Sequence, residues 1–486
     1  MSSKTTSPLK ATIWSFVERL STEIMTFVIG VLLARLLSPS DYGIIGLTTI
    51  FIVVSNVFIE SGFSNALIRK IDRSEKDLST AFIFNVVVGI LLYGLLFFCS
   101  GLIADFFSEP ILVDLIRIVG LNVLFNSLCI VQNALLTAQL NIRLLTIINL
   151  CSQIPSGIFA IYFAYKGYGV YALAVQSVLC SFLRTVLLWM LAKWRPVEPF
   201  DKQSFCYLWG FGSKLLLSSL IGTIVGNINS FLIGKYIGKS DLGYYSKGNS
   251  LSMHVSSITI GIVQKVGLPL LSKYQNDIEV LKNHFQSMMK LLVLIIAPLS
   301  AYFVYEAKDI ILFLWTDKWL DTVPMFQLIV CCVVLGPMGA MSLSLMSVMN
   351  RTDIVLKIEI IKKTVFLIVI FYSFRYGIFG LLIGQIFNNV FAALVNMYPT
   401  RRLLNYSLMS QLFDVTKYVV YAYVIGLPLY YFISTDYYLL NIVLFFVLYF
   451  SAYCLFLWLI KDELFLKYSE VFFNGVKNKL ISRAKD

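Results

Sequence analysis

The chain has 486 residues, of which 58% are apolar and only 14% charged, and its mean hydropathy is +0.80. Soluble domains carry about 25% charged residues, so this composition excludes an ordinary soluble enzyme or binding module. The net charge of +12 resembles that of nucleic-acid binders, but the cations sit in short loops between apolar segments, which is the positive-inside pattern of a membrane protein.

Apolar stretches near or beyond the length of a membrane span recur from end to end. We expect about fourteen transmembrane helices, at 11–36, 42–67, 80–104, 111–138, 144–165, 169–192, 206–234, 243–270, 284–305, 322–348, 354–374, 377–399, 412–433 and 438–460. A β-barrel is excluded, because its short alternating strands give a far weaker hydropathy signal. The first segment carries Glu18, Arg19 and Glu23, which a cleavable signal sequence would not, so it is expected to stay in the protein. The segment 308–320 is too short to span, and its aromatic and charged ends suit an interfacial position.

Loop charges set the orientation. Arg69, Lys70, Arg73 and Lys76 follow the second span, Lys193, Arg195 and Lys202 the sixth, Lys273 and Lys282 the eighth, and Arg401 and Arg402 the twelfth; Lys477, Lys479, Arg483 and Lys485 lie in the tail. The opposite loops hold Asp41, Asp105, Glu109, Asp309, Asp321 and Asp436. Both termini are therefore expected in the cytoplasm.

Two stretches repeat in register. Ser40-Asp41-Tyr42-Gly43 and Ser240-Asp241-Leu242-Gly243 stand 200 residues apart, each placed in an outward loop. Tyr168-Gly169 and Tyr376-Gly377 stand 208 apart, each opening a span. The echoes predict two lobes of six spans in the same orientation, 1–200 and 201–403, around a central cavity, with two further helices and a tail at 404–486.

Ionisable and amide side chains inside apolar spans mark a cavity or a partner, because lipid would penalise them. The first span offers Glu18, Arg19 and Glu23, the second Asn56 and Glu60, the seventh Lys214 and Asn229. The eighth carries a seam at helical spacing, Lys247, Ser250, His254, Ser257, Gly261 and Gln264. Arg19, Lys214 and Lys247 would attract an anion, Asn56, Asn229 and His254 would hydrogen-bond neutral hydroxyls, and Glu18, Glu23 and Glu60 are candidate H⁺ or Na⁺ coupling sites. Arg184 and Lys290, near span ends, are expected to snorkel.

No catalytic residues, metal site or organic cofactor are expected. The eight cysteines form no C-x-x-C pair and read as small hydrophobes, and there are only two histidines. Gly238-Lys239-Ser240 fails as a phosphate loop because Ile233 stands where its first glycine belongs. No segment offers the extended extramembrane loop that an active site would need.

LARLLSPSDYGIIGLTTIF at 33–51 of the first loop and second span, SGFSNALIRK, NALLTAQLNIRLL and GKYIGKSDLGYYSKGNSL together resemble the polysaccharide transporters, the Wzx-type flippases of the multidrug/oligosaccharidyl-lipid/polysaccharide superfamily. The resemblance implies a bacterial inner-membrane flippase for an undecaprenyl-diphosphate-linked oligosaccharide, O-antigen, capsule or exopolysaccharide, with assembly machinery as a further partner. It implies a V-shaped pair of lobes with the cavity lined by spans 1, 2, 7 and 8. A lipid II flippase and a cation-coupled multidrug exporter are the alternatives on the same scaffold.

Overall fold

The computed structural model describes residues 8–470 except 61, 71, 264–266 and 434; side chains before residue 14 and at 257–260 and 262 are also outside the description. The tail cations at 477–485 and Gln264 and the Ser257 side chain of the predicted seam therefore lie outside the described residues. Every regular element among the described residues is helical. The contacts divide the chain into two compact units, Met1–Ser246 and Lys247–Asp486.

The first unit contains α1 (Pro8–Leu36), α2 (Pro39–Glu60), α3 (Phe63–Arg69), α4 (Glu75–Phe107), α5 (Leu112–Ser127), α6 (Ile130–Ala138), α7 (Ile142–Tyr165), α8 (Val170–Leu191), α9 (Lys202–Leu232) and the start of α10 (Lys239–Ile262). The second contains the rest of α10, α11 (Leu268–Lys273), α12 (Ile278–Tyr305), α13 (Ala307–Trp315), α14 (Thr322–Cys331), α15 (Leu335–Val348), α16 (Thr352–Ser373), α17 (Gly377–Met397), α18 (Thr400–Leu404), α19 (Leu408–Phe432) and α20 (Tyr438–Leu459).

Among the described residues nine helical segments are long and apolar enough to cross a membrane, or ten if α5 and α6, bent by 45° at their break, count as one. The protein is thus a multi-pass helical membrane protein. The helices α1, α10, α16 and α17, of 29, 24, 22 and 21 residues, also lie where spans are predicted. The figure of fourteen rests on the sequence reading.

The first echoed motif is not a loop. Only Leu37 and Ser38 separate α1 from α2, and the motif forms the first turn of α2. Ser38 caps that turn. Its hydroxyl donates to Asp41 Oδ2 (2.6 Å) and accepts from the Asp41 N–H (3.3 Å), and its own N–H donates to the same carboxylate (2.9 Å). This is a reciprocal capping box with Pro39 at the first helical position, where its missing N–H costs nothing. The second motif likewise lies inside the first turns of α10, after a π-helical turn at Ile233–Ile237 that ends on Gly238.

The two helix starts meet. A Cβ built on Gly43 would fall well inside 3.0 Å of the Lys239 carbonyl, and one built on Gly243 equally close to the Pro39 carbonyl. Position 43 meets 239 and position 243 meets 39, so the contact is its own mirror under the 200-residue offset, as in an isologous interface. Glycine is required at both sites because the backbones touch there. The second echo has a different cause. Gly169 (φ +56°) and Gly377 (φ +72°) each hold a left-handed backbone at the start of α8 and α17, a conformation that side chains disfavour.

In the first unit α1 packs on α7 and α7 on α8 around Ile29, Leu33, Leu37, Ala160, Ala172 and Leu173. In the second, α12 packs on α19. The segment predicted as interfacial becomes α13 and a 3-10 turn at Asp317–Trp319, with Trp315 and Trp319 buried against the second unit. Their indoles are taken up by packing and by the Lys247 ammonium.

After α20 the chain is pinned by Asp462, which is buried. It pairs with Lys417 (2.6 Å), and accepts from the Tyr418 hydroxyl (3.1 Å) and from the Phe465 N–H (3.2 Å). Burial alone would raise this carboxyl, but the bonds from Lys417, Phe465 and Tyr418 outweigh it and hold the group below its ordinary value of 3.8. A depressed folded pKa gives stability that is present above the ordinary value and lost as pH falls through the folded one. Asp462→Asn is therefore expected to lower the melting temperature at neutral pH, with the gap to wild type narrowing as pH falls below about 4. A gap that stays constant with pH would refute the pairing.

Candidate functional site

Polar groups predicted on the first two spans make separate interhelical hydrogen bonds within the first unit. Glu18 on α1 is half-buried, and Asn149 Nδ2 of α7 donates to its Oε1 (3.0 Å). One turn further along α7 and two turns further along α1, Gln153 Nε2 donates to Thr26 Oγ1 (2.6 Å). Asn56 on α2 is half-buried and accepts from Asn126 Nδ2 of α5 (3.2 Å). Each of these is an interhelical amide contact in a segment whose other faces are apolar, which is how polar groups are satisfied at membrane depth.

The cation among these groups is one that sequence reasoning assigned elsewhere. Arg184 of α8 does not snorkel. It is half-buried, its Nη2 donates to Asn133 Oδ1 of α6 (3.3 Å), and its Nε is buried without a hydrogen-bond partner. Its charge acts on Glu18 of α1 and on Glu60 of α2. A signal was present: Arg184 is the sole Lys or Arg between Val170 and Ala192, and Asn126, Asn133 and Asn149 lie on neighbouring segments. Sequence proximity to a span end made snorkelling the simpler reading. Lys290, read the same way, is paired with Asp414 (3.1 Å).

The other predicted residues separate. Arg19 and Glu23 are exposed on α1, and Glu60 is exposed at the end of α2. Lys214 is exposed on α9, on a helix where Cβ atoms at Gly210, Gly222 and Gly226 would meet nothing within 4 Å. Asn229 is buried, and its Nδ2 donates to the Tyr245 hydroxyl (3.4 Å), tying α9 to the start of α10. In the second unit Lys247 is half-buried with its Nζ 5.5 Å from the Trp315 ring centre and 5.9 Å from that of Trp319, a cation–π arrangement. His254 is half-buried two turns further along the same helix.

The arrangement in the first unit has a guanidinium bonded to Asn133, the half-buried Glu18, the exposed Glu60 and a set of amides on otherwise apolar helices. It can hold an anion against Arg184, exchange a counter-ion at Glu18 or Glu60, and hydrogen-bond hydroxyls through its amides.

Residues 32–324, more than half of the chain, match the family described as "Polysaccharide biosynthesis protein". The chain belongs to that family. Among relatives of this polysaccharide biosynthesis protein is the teichuronic acid biosynthesis protein TuaB of Bacillus subtilis, 26% identical over 68% of this chain and 70% of its own. The lipopolysaccharide biosynthesis protein WzxC of Escherichia coli is 22% identical over 76% of each chain. Among solved structures, the lipid II flippase MurJ in an inward closed conformation superposes with a TM-score of 0.70 at 15% identity, covering 93% of this chain and all of that one. At that identity the likeness is one of fold.

Proposed function

We propose that this family member is a flippase that carries a lipid-linked oligosaccharide across the bacterial inner membrane by alternating access, with both termini in the cytoplasm. The observation that carries the reading is the set of half-buried polar groups, Arg184, Glu18 and the amides bonded to them or beside them, on apolar helices of a polysaccharide biosynthesis protein. An undecaprenyl-diphosphate carrier fits these groups. The diphosphate takes cations, of which Arg184 joins Arg19, Lys214 and Lys247, the sugars take amides, and the polyprenyl tail stays in lipid. Glu18, Glu23 and Glu60 are the groups proposed to couple transport to H⁺ or Na⁺.

The test is deletion in the native host, followed by measuring which leaflet holds the undecaprenyl-linked oligosaccharide. The expected result is accumulation on the cytoplasmic leaflet with loss of the surface polymer. Normal surface glycan with increased sensitivity to cationic drugs would instead make it a drug exporter, and lethality with trapped lipid II a lipid II flippase. Altered chain length with the lipid-linked unit reaching the outer leaflet would make it a polymerase.

A further inference from the structure

A cavity of about 260 Å³ lies wholly within the second unit, apart from every residue assigned above. Three elements wall it: Asn249, Ser252 and Ser256 of α10, the turn between α14 and α15, and Gln385, Asn389 and Asn396 of α17. At about 30 Å³ of liquid volume per water, it could hold eight or nine waters, or one sugar ring with a few of them.

Its chemistry is selective. Among the described residues no wall carries a formal charge. A diphosphate would find no cation there, and a metal ion would face amide N–H₂ groups as well as carbonyl oxygens. Carboxamides and hydroxyls offer donors and acceptors together, which is what a neutral polyhydroxylated ring presents in return. Met253, Val333 and Ala393 supply apolar surface for its C–H face.

The backbone of one wall shows a built site rather than a packing gap. The wall at α14–α15 is a helix interrupted inside one span, Thr322–Val348. There the bonds shorten to three-residue steps, from Leu335 N–H to the Cys332 carbonyl (3.0 Å) and from Gly336 N–H to that of Val333 (3.3 Å), just before Pro337. Irregular backbone at membrane depth persists where it lines a cavity. Gly336 faces this space, since a Cβ there would meet nothing within 4 Å.

We infer that this amide-lined cavity of the second unit is a recognition subsite for an uncharged sugar ring of the transported oligosaccharide, separate from the groups that take its diphosphate. The subsite rests on the flippase reading for its cargo, but its occupancy can be measured without transport.

The probe is the oligosaccharide freed from its lipid by mild acid, added to the full chain in lipid nanodiscs and followed by saturation-transfer NMR. Wild type is expected to give signals from the sugar ring protons that inorganic pyrophosphate does not displace. Gly336→Leu fills the cavity and Asn389→Leu removes an amide. Each is expected to weaken binding about tenfold, equivalent to about 1.4 kcal/mol, at an unchanged melting temperature. No ring signal from wild type, displacement by pyrophosphate, or equal binding by both variants would overturn the subsite. None of these would alter the leaflet result on deletion, which judges the flippase reading by itself. If Gly336→Leu alone fails to fold, Asn389→Leu and the pyrophosphate competition on wild type decide.

Discussion

Gly43→Ala and Gly243→Ala are each expected to destabilise the protein by about 3 kcal/mol, at the upper end for overpacked sites. The new methyl would sit against a backbone carbonyl, of Lys239 in one case and of Pro39 in the other. A flexible side chain could turn away from it, but a carbonyl in the first turn of a helix cannot move alone, so α2 and α10 must separate. Both substitutions open the same crossing. The double variant should therefore melt only slightly below either single one, with a coupling of 1 kcal/mol or more, as an order-of-magnitude expectation for residues in one contact. Melting of the purified protein followed by tryptophan fluorescence checks this. Wild-type melting of Gly43→Ala would refute the crossing, and strict additivity would refute the shared contact.

Arg184→Met is expected to lower transport at least tenfold while costing about 1–3 kcal/mol of stability, the range for stranding hydrogen-bonding groups. The substitution leaves Asn133 Oδ1 without its donor and leaves Glu18 and Glu60 without the cation that acts on both. The structural and transport roles can be separated. Adding Glu18→Gln and Glu60→Gln to Arg184→Met removes the uncompensated charge, so melting should recover while transport stays lost. Arg184→Lys keeps the charge without the planar fork and should fall between the two. The readout is the leaflet distribution of the lipid-linked oligosaccharide in the complemented deletion strain. Wild-type transport by Arg184→Met would remove this residue from the mechanism, and recovery of transport in the triple variant would make its role structural.

Much of this protein was determined by local chemistry that a linear reading can follow. Hydropathy sets a multi-pass helical membrane protein, because the bilayer demands long apolar segments whose backbone is satisfied internally. The two echoes mark positions where backbone geometry constrains the residue: a capping box at Ser38–Asp41, and left-handed glycines at 169 and 377. Glu18 and Asn56 were identifiable because a polar group in an apolar run needs a partner, whichever partner it turns out to be.

The partners themselves were decided by tertiary structure. That Ser-Asp-x-Gly starts a helix and meets its own copy depends on two segments 200 residues apart being brought together, and spacing along one chain does not encode the approach of two backbones. Arg184 read as a snorkelling residue because distance from a span end is all that a sequence reports; Asn133 of α6 bonds it, and its charge acts on carboxylates of α1 and α2. That Trp315 and Trp319 pack beside the Lys247 ammonium is likewise a fact of tertiary structure, because the sequence reports only that these aromatic residues are amphipathic. The amide-lined cavity was least visible of all. Asn249, Gln385, Asn389 and Asn396 are each unremarkable within their own helices, and only the packing of α10, α15 and α17 gathers them around one space.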